Sequence, residues 1–231
     1  MDFPALPARL ARVRDVIAER QLRAGQRHAV RIVAVTKTHG PEAVVAAWTA
    51  GLQDVGENRV QEALPKQDAT RDLPVAWHLV GGLQRNKARH AAGRFALIHS
   101  VDRAELAAEL HRRTPDGTRQ AVLVQVNCSA EPQKGGVEPD GLPALLDLLR
   151  TLDRLEVRGL MTMAAYDATE PAQRRTFALL RGLRETAAAH GHALPELSMG
   201  MSDDYPAAVE EGATLIRLGT ALFGARVAAT D

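Results

Sequence analysis

Short apolar runs recur along this chain with stretches of helical spacing between them, and that alternation limits the fold more than any other feature. The runs occupy residues 30–36, 53–56, 76–81, 96–100, 121–127, 157–163, 197–200 and 214–218. Between them Leu142, Leu145, Leu146 and Leu149 form one apolar stripe, and Phe177, Leu180, Leu183 and Ala187 another. Asp102-Arg103-Ala104-Glu105 has the form of a capping box that opens a helix through Leu106 and Leu110. Gly51, Gly191 and Gly212 stand where helices would stop. Eight strand-like runs, nearly all followed by a helix, predict a (β/α)8 TIM barrel, an α/β fold in one domain spanning residues 1–231. Leu6, Leu10, Val13 and Ile17 step by helical intervals and predict an extra N-terminal helix before the barrel. The rival is a doubly wound open sheet, because strand counting alone does not decide closure.

Composition narrows the function classes. The 231 residues carry 29 basic and 28 acidic side chains, a net charge of +1 that gives no reason to expect nucleic acid or an anionic membrane. Aromatic residues make up 3%, too few for a base-stacking platform. No run approaches the roughly 18 apolar residues of a membrane span, and the charged amino terminus lacks a signal peptide's apolar stretch. The single Cys128 cannot form an internal disulfide, so inert packing in a reducing cytoplasm is the expectation. No P-loop, zinc-spaced Cys/His set, nucleophile elbow or dinucleotide glycine fingerprint is present.

In a barrel, function sits where strands end. The first run ends on Thr36-Lys37-Thr38-His39. Lys37 reads either as a lysine that snorkels out of the core or as a Schiff-base amine whose pKa is lowered by burial. Only Lys66, Lys87 and Lys134 offer other amines. Asn58, in Gly56-Glu57-Asn58-Arg59, is either a site residue or a helix N-cap, and Glu57 and Glu62 suit a helix start. His78 reads as a hydrogen-bonded barrel residue before it reads as a base. Ser198-Met199-Gly200-Met201-Ser202-Asp203-Asp204-Tyr205 and Ile216-Arg217-Leu218-Gly219-Thr220 carry glycine and hydroxyl residues after the seventh and eighth runs. That pattern suits a phosphate cradle, the alternative being plain helix capping by Ser202 or Asp203.

Ala34-Val35-Thr36-Lys37-Thr38, Gly56-Glu57-Asn58-Arg59-Val60-Gln61-Glu62, Trp77-His78 through Gln84-Arg85-Asn86-Lys87, Gly159-Leu160-Met161-Thr162-Met163, Ser198-Met199-Gly200-Met201-Ser202 and Arg217-Leu218-Gly219-Thr220-Ala221-Leu222-Phe223-Gly224 occur in that order. Together they resemble the pyridoxal phosphate homeostasis proteins, single-domain relatives of the alanine racemase barrel, over residues 5–226. The resemblance implies pyridoxal 5′-phosphate (PLP) held as a Schiff base on Lys37, with Asn58 near it. It further implies phosphate contacts from Ser202, Gly219 and Thr220, and Arg217 against the pyridine nitrogen. Gly82 departs from the family's usual His, and Ala165-Tyr166 from its proline-containing continuation. Lys134 resembles a family feature of unassigned role on a mobile loop.

An arginine at the ring nitrogen keeps that nitrogen unprotonated, because two adjacent cations repel. The ring is then a weak electron sink. The family's two-domain racemases need a second domain with a tyrosine base, and after Gly224 the chain runs only seven residues to Asp231. The expectation is therefore a cytoplasmic, monomeric PLP carrier without amino-acid turnover, which buffers the cofactor or delivers it to PLP-requiring apoenzymes. The alternatives are a PLP-dependent racemase or lyase and, further off, a Schiff-base aldolase that uses no PLP.

Overall fold

A computed structural model describes residues 3–225. A helix, α1 (Leu6–Arg23), precedes eight parallel strands: β1 (Arg31–Val35), β2 (Asp54–Glu57), β3 (Ala76–Leu79), β4 (Leu97–Val101), β5 (Gln120–Gln125), β6 (Leu155–Met161), β7 (Glu196–Ser198) and β8 (Leu215–Leu218). The strands pair in chain order and β1 pairs back onto β8, with Arg31 opposite Leu215 and Ala34 opposite Leu218. The sheet therefore closes, and the open-sheet rival is excluded.

Each strand-to-strand connection carries helix: α2 (Pro41–Thr49), α3 (Val60–Ala69), α4 (Ala88–Ala91), α5 (Ala104–Arg113), α6 (Leu142–Arg150), α7 (Glu170–Ala189) and α8 (Tyr205–Glu210), with a last short turn, α9 (Thr220–Phe223), after β8. Both leucine stripes bury as the spacing predicts, Leu142, Leu145, Leu146 and Leu149 fully, and Leu183 in part. Leu6, Leu10, Val13 and Ile17 are likewise buried, and α1 lies against α8 and α9. Gly51, Gly191 and Gly212 each follow a helix with φ between 83° and 91°, the left-handed conformation that ends it. The capping box at Asp102 is not made. Helix α5 begins one residue later, with Arg103 as N-cap and no side-chain cap, and Asp102 instead accepts from Arg103 Nη1 at 2.5 Å.

Strand geometry sends alternate side chains to opposite faces, and the burial follows it. Val33, Val35, Val80, Leu97, Leu123, Met161 and Leu215 fill the barrel lumen. Ile32, Ala34, Val55, Leu79, Ile98, Val124, Leu197, Ile216 and Leu218 meet the helices outside. The lumen is tight: a Cβ added at Gly56 would approach Val33 Cγ1 to 2.9 Å.

Candidate functional site

The alternation that fills the lumen also aims the strand ends. Val33 and Val35 point inward, so Lys37, two residues past β1, continues the inner face at the C-terminal mouth. The same parity carries Gly56 to Asn58, and Leu215 to Arg217 and Gly219. Four of the six residues expected at the site thus share the lumen face. The remaining two, Ser202 and Thr220, lie in the segments that follow β7 and β8.

Lys37 is exposed, and its ammonium makes no hydrogen bond or ion pair to any described residue. The backbone around it is held from behind. Thr36 Oγ1 donates to Glu57 Oε1 at 2.6 Å, and Lys66 Nζ donates to Glu57 Oε1 at 2.6 Å and to the Thr36 carbonyl at 2.9 Å. Immediately beyond, Thr38 adopts φ 69°, a left-handed conformation unfavourable for a β-branched residue. Strain of this kind persists only where neighbours over-determine it.

Asn58 is half-buried and is not a helix cap, since α3 takes Arg59 as its N-cap. It lines a cleft with Gly82 and Lys87. A Cβ at Gly82 would meet nothing within 4 Å, so the departure from histidine leaves that side of the cleft open.

Ser202 and Asp203 do not cap α8; Asp204 occupies the N-cap position and its carboxylate accepts from Met201 N at 2.5 Å. Ser202 Oγ instead reaches across to α9 and accepts from the Ala221 backbone N–H at 3.0 Å. The two glycine-and-hydroxyl segments therefore meet. Gly219 is the N-cap of α9 and Thr220 its first residue, where backbone N–H groups have no partner within the helix. Gly200, with φ 92°, lets the chain turn beneath this contact; a Cβ there would lie 2.7 Å from Ala208 Cβ.

Arg217 is 4% exposed. Its Nη1 donates to Ser198 Oγ at 2.7 Å and its Nη2 to the Thr162 carbonyl at 2.9 Å. Burial lowers its pKa to about 10 while the nearby Asp204 carboxylate opposes the shift, so the guanidinium remains charged at neutral pH. Asp204 is itself raised by burial. In register Arg217 stands level with Val33, four residues before Lys37, so the two side chains start from different heights along the barrel.

His78 is the hydrogen-bonded barrel residue expected. It is 1% exposed and bonded at both nitrogens, to Asp54 Oδ1 at 2.8 Å and to His99 Nε2 at 2.9 Å. Tyr166 is 85% exposed on the segment before α7. Lys134 is engaged: its ammonium donates to the Ala164 carbonyl and pairs with Glu131 at 2.8 Å. Sequence reasoning passed over His99 and gave Ser198 and Asp204 no role beyond their place in the cradle segment; Glu57, expected at a helix start, instead ends β2 wholly buried and paired with Lys66. Inward parity was the available signal for His99 and Ser198; nothing local marked Asp204.

Among the described residues no group of three or more His, Cys, Asp or Glu side chains could hold a metal, and no helix is long and apolar enough to cross a membrane. The family model for the alanine racemase N-terminal domain matches residues 10–227. A pyridoxal phosphate homeostasis protein of Aquifex aeolicus is 43% identical over 94% of this chain and 97% of its own. Another, of Pseudomonas aeruginosa, is 46% identical over 94% of both chains. PipY of Synechococcus elongatus, solved with PLP bound, is 43% identical with a TM-score of 0.80 over 90% of this chain and all of that one. Alanine racemase of Bacillus anthracis, at 16% identity and a TM-score of 0.70, shares the fold over 93% of this chain and 57% of that one.

Proposed function

Because the chain belongs to the pyridoxal phosphate homeostasis proteins, we propose that it binds PLP at the barrel mouth and takes part in PLP homeostasis by buffering or delivering the cofactor. What supports this reading is that Lys37, exposed after β1 with no described partner, and the Ser202–Ala221 contact, formed by the segments after β7 and β8, share the C-terminal end of the barrel. These residues fit the cofactor: an amine for its aldehyde, hydroxyl and N–H groups for its phosphate, and a buried guanidinium for its ring. When bound, PLP supplies an aldehyde carbon that an unprotonated amine attacks with loss of water.

The chain's own groups do the rest. Lys37 holds the cofactor covalently and Asn58 flanks it. Ser202 Oγ and the N–H groups beginning at Gly219 and Thr220 bind the phosphate oxygens. Arg217 stays cationic and keeps the ring nitrogen from taking a proton, because two buried cations in contact repel. A ring held in that state is a poor electron sink, which supports a carrier rather than an amino-acid enzyme. Neither side chain proposed as a racemase base is favourably placed: His78 is locked between Asp54 and His99, and Tyr166 points to solvent. We place its work in the cytoplasm as a monomer, with PLP-requiring apoenzymes as recipients.

The test is borohydride reduction of PLP-loaded protein followed by peptide mapping. The label should fall on the peptide that contains Lys37; a label on Lys134 would move the site. Chiral chromatography of L- and D-amino acids incubated with loaded protein should show no turnover above that of free PLP. Turnover lost in Lys37→Ala would favour the racemase reading.

A further inference from the structure

An unbroken line of side chains, buried except at half-buried Asp54, joins Arg217 to the opposite end of the barrel. Arg217 Nη1 meets Ser198 Oγ at 2.7 Å, Ser198 Oγ meets His99 Nδ1 at 2.8 Å, His99 Nε2 meets His78 Nδ1 at 2.9 Å, and His78 Nε2 meets Asp54 Oδ1 at 2.8 Å. His99 and Ser198 are fully enclosed, and five different strands contribute one member each. Such a row displaces apolar packing from the centre of the lumen. Packing alone gives no reason for it.

The line has a direction, and Asp54 sets it. An ionised carboxylate only accepts, so His78 must carry its proton on Nε2. With one proton on each imidazole, His78 accepts at Nδ1, which requires the proton of His99 on Nε2. His99 Nδ1 accepts in turn, so the Ser198 hydroxyl donates to it and leaves its lone pairs to Arg217. Asp54 and His99 are both held in the states this needs. Burial would raise Asp54, but His78 and Arg31 outweigh it and lower the carboxyl pKa. Burial, the largest cause, drives His99 far below its ordinary value. The other charged groups that face the line are Glu196 and Arg158 at the floor, through Arg31 and Glu196 contacts, and Asp204 beside Arg217.

We infer that Asp54, His78, His99 and Ser198 are positioning residues for Arg217: a carboxylate on the far face of the barrel fixes the orientation of the guanidinium that meets the cofactor ring. This rests on the PLP reading above, which puts Arg217 at the ring. Ser198 Oγ accepts from Arg217 Nη1, and committing its own proton to His99 fixes the direction in which the remaining lone pairs face the guanidinium. Without the charge at Asp54 the histidines can exchange tautomers, and the lone pair that meets Nη1 loses its fixed direction.

Two measurements separate this inference from the reading beneath it. In cofactor-free protein, ¹⁵N NMR of the imidazoles should show His78 and His99 both protonated at Nε2, and Asp54→Asn should introduce the other tautomer. Bound PLP should then be held about tenfold less tightly in Ser198→Ala and several-fold less tightly in Asp54→Asn, with a shifted visible band, while borohydride still labels Lys37. Asp54→Glu should restore both readouts. Leu110→Ala, which perturbs only the outer core, should change neither the tautomers nor the band. If Asp54→Asn does not fold, Ser198→Ala carries the test. An Nδ1–H tautomer at either histidine of the wild-type protein overturns the inference, as does wild-type PLP affinity and band in both variants. Failure of the wild-type protein to label at Lys37 would instead overturn the PLP reading and leave the tautomer result standing.

Discussion

Lys66 and Glu57 form an ion pair of 2.6 Å beneath α3, with Glu57 wholly enclosed and Lys66 8% exposed, and both hold Thr36, the residue before Lys37. This pair lies outside the barrel wall, so it does not touch a ligand in the lumen. Its effect on the site passes through the backbone that it pins.

Removing one partner leaves a buried charge uncompensated. Lys66→Ala should cost about 3–5 kcal/mol of stability, read from denaturant melts. Glu57→Gln combined with Lys66→Met should recover much of that loss. If the double variant were no more stable than Lys66→Ala, the pair would not be the source.

Lys37→Ala should abolish the visible absorbance of PLP-loaded protein and leave the far-ultraviolet spectrum and melting temperature close to wild type. An exposed side chain at the mouth contributes no core packing. Reducible PLP surviving in the variant would point to Lys134.

The phosphate contacts give a paired prediction. Ser202→Ala and Thr220→Ala should each weaken PLP binding by about 1.5–3 kcal/mol, the scale of a hydrogen bond to a charged group. Unphosphorylated pyridoxal should bind almost unchanged. Equal losses for both ligands would mean that Ser202, through Ala221, serves only to hold α9.

Stability should fall in mild acid through His99. Its folded pKa lies below the ordinary 6.5, so the unfolded chain binds the proton more readily. The contribution is complete above 6.5 and is lost as pH drops toward the folded value, by up to about 1.4 kcal/mol per pH unit. Melts between pH 7.5 and about 5 should show this slope, and His99→Gln should flatten it. Asp54, also depressed, acts in the same direction but only below its ordinary 3.8.

Cys128 should resist alkylation. Burial pushes its thiol up to about 11, against a hydrogen bond with Thr162, so little thiolate exists at pH 8. Mass spectrometry after iodoacetamide treatment should find it unmodified in native protein and modified in urea.

Much of the fold was legible because apolar periodicity is a local property. The helix stripes at Leu142 and Phe177 and the stops at Gly51, Gly191 and Gly212 each depend on a few neighbouring residues. Strand limits shifted by a residue or two, as at β6, which runs Leu155–Met161 rather than to residue 163. Closure was not local, since it requires Arg31 to find Leu215. The site divides in the same way. Lys37, Asn58 and Arg217 could be reached by counting along strands, whereas the meeting of Ser202 with Ala221 and of Glu57 with Lys66 depends on tertiary approach. The capping box failed because its acidic residue was drawn to Arg103, a competitor that the motif does not register.

The pairing of β1 with β8 has a consequence for the order of events during synthesis. Lys37 emerges from the ribosome early, but Arg217, Gly219 and Thr220 arrive only with the last strand and the turn after it. Until β8 docks, β1 has an open edge and the shaft has no far wall. If Lys37 and Arg217 hold PLP as proposed, a growing chain presents the Lys37 amine before the residues that would retain the cofactor beside it. On that proposal retention would begin when the first strand and the last meet, so a bound cofactor would mark chains whose folding is finished.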